Sequence, residues 1–126
     1  MTNQERSHSL HTLSVDAFLH LLSDRRRRFA LSVLAAHDRR MTVNDLTKAI
    51  VTHESSAEIT EVPGDEVVDV YISLYHNHLP RLSETPLIEY DSERGLVAPT
   101  AVLAQVEPFV SLVAEADSVH DLFVGT

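Results

Sequence analysis

The 126-residue sequence predicts a mainly α-helical domain that carries one small β-hairpin and closes with a further helix. Three observations carry that reading. Apolar residues recur at three- and four-residue steps through residues 15–22, 29–37, 43–50 and 68–82, the period of an amphipathic helix. Ser14, Asp24 and Thr42, residue types that cap helix N-termini, each stand just ahead of one of those stretches. Two short apolar runs, Leu87-Ile88 and Leu96-Val97-Ala98, flank a charged turn that ends in Gly95.

Residues 1–13 are polar and are expected to form a mobile tail. Ser14 opens a first helix on Val15, Phe18, Leu19 and Leu22; Asp24 opens a second on Phe29, Ala30, Val33, Leu34 and His37. Asp38-Arg39-Arg40 makes a short turn. Thr42 then caps a third helix, with Asp45 as an acidic variant of the capping box and Val43, Leu46, Ala49 and Ile50 facing inward. Residues 53–65 form an acidic loop that Pro63-Gly64 terminates. The next helix carries Val68, Ile72, Tyr75, Leu79 and Leu82 as one inward stripe, with Pro80 kinking or dividing it near residues 76–80. After Thr85-Pro86 come the two strands and their Asp91–Gly95 turn, where Gly supplies a positive φ. The expected core is Phe29, Leu34, Leu46, Ile50, Ile72, Leu79, Leu82 and Ile88. The folded domain spans 14–98, and a C-terminal helix and tail span 99–126.

Charge is unevenly spread. The formal net charge is −9, yet residues 1–48 hold eight bases against five acids, and residues 49–126 hold only Arg81 and Arg94 against 14 acids. Whatever basic surface exists therefore belongs to the N-terminal third. The acidity opposes nucleic-acid binding, which draws its affinity from phosphate neutralisation. In molar salt the screening length falls to about 3 Å, and only charges near contact matter. With no cysteine, disulfides and thiolate metal sites are excluded. No apolar run approaches the roughly 20 residues of a membrane span, and the polar N-terminus lacks the apolar segment of a signal peptide. A cytoplasmic location is expected. Only three glycines and no nucleophile elbow or His-Glu metal helix leave no basis for an enzyme, and no cofactor or metal is expected.

Residues 14–98 resemble the winged helix-turn-helix domain of ArsR-like regulators. The likeness rests on Leu22-Ser23-Asp24 ahead of an Arg-rich helix, Val43-x-x-Leu46, His78-Leu79-x-x-Leu82 and Leu87-Ile88-Glu89-Tyr90. The His-Leu-Pro-Arg-Leu run before an Ile-Glu-Tyr-Asp strand is similar to that of small haloarchaeal winged-helix proteins. The resemblance implies a winged-helix fold, a halophilic archaeal setting and sequence-specific binding of double-stranded DNA in transcriptional regulation. The helix before the hairpin would enter the major groove, and the hairpin would be the wing.

On that pattern the base-reading residues are Ser73, His76, Asn77 and Arg81, with Asn and Arg suited to adenine and guanine edges. Phosphate contacts fall to Arg25, Arg28, Arg39, Arg40 and Arg94. The Arg25–Arg28 run puts four cations into a first helical turn, where the helix dipole disfavours them, so helix stability alone does not account for it. The competing account pairs one or two of these arginines with acids from residues 84–93. The final helix carries apolar Val102, Leu103, Val106, Phe109, Val110 and Val113, which either pack across the domain or pair two copies. A homodimer through Val102, Val106, Phe109 and Val113 is expected. His76 and His78 point apart on a helix and cannot share an ion. The wing's Asp91 and Glu93 depart from the basic wings of the family. The rival function is a protein-interaction module on the same scaffold that has lost DNA binding. A basic stripe running unbroken from Arg25–Arg28 to Arg81 would favour DNA, and a broken one the partner.

Overall fold

A computed structural model describes residues 13–124, with side chains described to Asp117. Apart from Leu13, the expected N-terminal tail lies outside the described residues. Helix α1 spans Val15–Leu22 and α2 spans Arg25–His37. The caps are the expected ones: Ser14 Oγ accepts from Ala17 N at 3.0 Å, and Asp24 Oδ1 accepts from Arg26 N at 2.9 Å. Asp38, left-handed at φ 51°, stops α2. Strand β1, Met41–Thr42, follows, and Thr42 caps α3, Val43–Ser55.

The sheet is antiparallel and three-stranded rather than a lone hairpin. Strands β2, Ile88–Asp91, and β3, Leu96–Pro99, form the expected hairpin, with Gly95 at φ 64° closing its turn. Strand β1 adds to the free edge of β3, pairing Met41 with Val97 and Thr42 with Leu96. A two-residue strand shows no period in sequence; its partner creates it. Val43 N donates to Gly95 O at 2.9 Å, which ties the start of α3 to the hairpin turn.

The helix ahead of the hairpin differs from its expected register. It runs as α4, Gly64–Ser73, a π-helical turn over Leu74–His78, and α5, Leu79–Ser83. Leu79 N–H returns to the Leu74 carbonyl, five residues back. Pro80 lacks an N–H and its ring would crowd the carbonyl four residues earlier, so a wider turn just before it relieves a local conflict. The extra residue shifts every inward position upstream by one. Leu74 and Leu79 are both fully buried, and Val67, Val70 and Tyr71 face the core before them. Ile72, expected in the core, is instead 48% exposed, and Val68 is 53% exposed. The other expected core residues are buried, joined by Leu31, Val51 and Leu87.

Helix α6, Ala101–Val124, lies across α2 and buries Leu103 and Val110. Val102, Val106 and Val113, expected at a dimer interface, are half-buried against the chain's own core. Among its described side chains, the large outward apolar ones are Phe109, 39% exposed and in ring contact with Phe18, and Leu112, 60% exposed. No helix of the described residues is long and apolar enough to cross a membrane.

Candidate nucleic-acid interface

The arginine run is the structural hub of the domain. Arg27 is buried; its Nε donates to the Leu21 carbonyl at 2.8 Å and its Nη2 to that of His20 at 3.3 Å. Arg28 Nη1 donates to the Leu22 carbonyl at 2.6 Å, while its other nitrogens grip Asp117 at 3.0 and 2.5 Å. These two side chains bond carbonyls at the C-terminal end of α1, which carry partial negative charge; that of His20 also accepts from Ser23 N at 3.1 Å. Arg26 forms a fork with Glu54 at 2.8 and 2.9 Å and reaches Ser73 Oγ at 3.3 Å, binding α2, α3 and α4 together. Its guanidinium is held above the ordinary arginine range, chiefly by the Glu54 bond.

Two of the expected site residues are engaged within the fold. Arg28 is folded inward and occupied, so it cannot also meet phosphate without breaking its pair. Ser73 is half-buried and turned to Arg26 rather than outward. Arg25 stays exposed, its guanidinium carbon 5.2 Å from the Phe29 ring centroid. The described ion pairs of the run are Arg26 with Glu54 and Arg28 with Asp117, both acids from helices distant in sequence and not from residues 84–93. The basic stripe toward Arg81 is therefore broken. Arg81 is exposed but lines a recess with Leu13, Ala17, His20 and Leu21, on the α1 side of the domain.

His76 and Asn77 are exposed on the π turn. Beside them, Tyr75 holds the helix against the wing: its hydroxyl donates to the Ser92 carbonyl at 2.8 Å. Tyr71 stacks on Tyr75 with centroids 5.9 Å apart, and Tyr90 meets Tyr75 edge-on at 6.3 Å. Burial pushes the Tyr90 phenol up, and its hydroxyl has no hydrogen-bond partner among the described residues. Arg40 and Arg94 line one recess across the sheet with Glu89 and Tyr90. Arg39 and Arg40 line the adjoining one with His37, Thr42 and Asp45. Arg94 is loosely paired with Asp91 at 3.7 Å, both side chains well exposed. Three of the expected phosphate residues thus gather at the root and turn of the wing, interleaved with acids.

His78, only 4% exposed, ends the π turn in the interior, and its Nδ1 has no partner among the described residues. Desolvation holds its imidazole below the ordinary value; Arg27, Arg26 and Arg81 push the same way, against Asp24. Burial acts to raise the Asp24 carboxyl, but the Arg27 and Arg26 amides and nearby positive charge outweigh it and hold it below the usual range. Among the described residues no three His, Asp or Glu side chains gather to hold a metal ion.

Three antiparallel strands packed behind a helical core, with the hairpin latched to the helix before it, make a winged-helix-like arrangement. Residues 19–98 match the family described as a domain of unknown function, DUF7344, and the chain belongs to that family. No curated protein and no solved structure matches the chain.

Proposed function

We propose that this protein is a winged-helix transcriptional regulator, ArsR-like in its reading head, that binds double-stranded DNA in the cytoplasm without catalysing a reaction. The observation that carries the reading is the convergence of Arg39, Arg40 and Arg94 at the wing, which Tyr75 ties to the helix bearing exposed His76 and Asn77. A guanidinium placed beside the duplex neutralises phosphate and sets register, and side chains on the neighbouring helix read base edges. The broken stripe between the Arg25–Arg28 run and Arg81 weighs toward the interaction-module alternative; the DNA reading rests on the wing corner, because that run is largely spent inside the fold. Asp65, Glu66 and Asp69 repel phosphate from the first turns of α4, so base contact falls to its C-terminal continuation.

A two-fold dimer accompanies this reading, since paired reading heads double the contact with a palindromic site. Phe109 and Leu112, with Leu19 and Val15 of α1, supply the outward apolar side chains for it. Light scattering across protein concentration tests the dimer, with about twice the 14.1 kDa chain mass expected. Fluorescence anisotropy with genomic fragments from dilute to molar salt tests the DNA reading. Absence of binding throughout would overturn it.

A further inference from the structure

The π turn leaves Val68 and Ile72 in solvent, four residues apart on the outward face of α4. Neither contributes a buried side chain to the fold. Branched aliphatic residues are also weaker helix formers than the Gln, Glu or Lys that an exposed helical position ordinarily carries. Folding stability therefore does not account for them. Around the pair stand Asp65, Glu66 and Asp69, all exposed on the same helix, with Glu61 exposed just ahead of it. Arg26 faces inward to Glu54 and Ser73, and exposed Arg25 lines a recess with it and Glu66, to one side of the pair. An apolar centre rimmed by acids, without a cation facing outward among α4's own residues, is complementary to an apolar stripe rimmed by bases.

We infer that the outward face of α4, centred on Val68 and Ile72, docks a basic amphipathic helix of a partner protein. The apolar pair would seat between the partner's aliphatic side chains, and Asp65 and Asp69 would meet its flanking Lys or Arg. This goes beyond DNA binding and does not depend on it. A partner seated here lies beside His76 and Asn77, so it would bar the helix from a DNA groove. Docking and groove reading exclude one another.

The test uses the full chain, isotope-labelled, and a synthetic amphipathic peptide with one leucine face edged by arginines. Amide shifts should centre on residues 65–76. The Val68→Gln/Ile72→Gln variant, which alters only exposed positions and keeps its thermal midpoint, should bind about tenfold more weakly. A peptide of equal charge with its leucines replaced by glutamine should lose affinity to a similar degree. Shifts centred elsewhere, or equal affinity for wild type and variant, would overturn the proposal. An Arg39→Ala/Arg40→Ala/Arg94→Ala variant should take the peptide normally while losing DNA, so failure of one reading is distinguishable from failure of the other.

Discussion

The Tyr75 hydroxyl donates to the Ser92 carbonyl at 2.8 Å, and this one bond joins the helix before the hairpin to the tip of the hairpin itself. The bond matters because the relative placing of helix and wing is what a duplex would meet. Tyr75→Phe keeps the ring contacts with Tyr71 and Tyr90 and removes only the tether. We expect a loss of about 1 kcal/mol or less in stability, with faster amide exchange confined to the hairpin. Tyr90→Phe is the contrast: its buried hydroxyl lacks a partner among the described residues, so removal should be neutral or stabilising.

The shifted register of α4 makes a prediction that an uninterrupted helix reverses. Leu74 is fully buried and Ile72 half-exposed. Leu74→Ala should cost about 2–5 kcal/mol, as core truncations do, whereas Ile72→Gln should change stability by about 0.5 kcal/mol or less. Chemical denaturation of the two variants checks this directly.

Two arginines from the basic third of the chain should behave in opposite ways. Arg28 pairs with Asp117 with both side chains about 15% exposed, so Arg28→Ala leaves a carboxylate and a helix carbonyl without their partner. A destabilisation of about 2–4 kcal/mol is expected. Arg39 is exposed, and Arg39→Ala should leave the thermal midpoint nearly unchanged.

Stability should fall with acidification through the titration of His78. Its folded-state value lies below the ordinary 6.5, so the unfolded chain binds the proton first as pH drops. The contribution is complete above about pH 6.5 and diminishes progressively as pH falls from there toward the folded-state value. His78→Gln should flatten this part of the stability profile, measured by urea denaturation at successive pH values. The Asp24 carboxyl acts lower on the scale: its depressed value gives stability present above about pH 3.8 and lost below it.

Much of the fold was legible because its signals are local. Ser14, Asp24 and Thr42 act within three residues of themselves, and Gly95 answers to the φ of its own turn. What escaped depends on residues far apart. Strand β1 exists because Val97 lies opposite Met41. Helix stability alone could not explain the arginine run, because its partners, the carbonyls of α1, Glu54 and Asp117, are brought to it only by the packing of three other helices. The misplaced stripe of α4 had a visible cause in Pro80, and the five-residue step between Leu74 and Leu79 was the signal that a π turn absorbs it. The same error hid Ser73, which an undisturbed helix would have turned outward.

The central claim is that the wing corner meets the phosphates of DNA, and the salt dependence of binding tests it most directly. Anisotropy titrations of wild type and of Arg39→Ala, Arg40→Ala and Arg94→Ala should show each variant weaker on all sequences. The slope of log affinity against log salt should shallow by about 0.9 for each phosphate that a substitution leaves without its arginine. Variants that match wild type in both affinity and slope, while wild type binds DNA, would contradict the assignment.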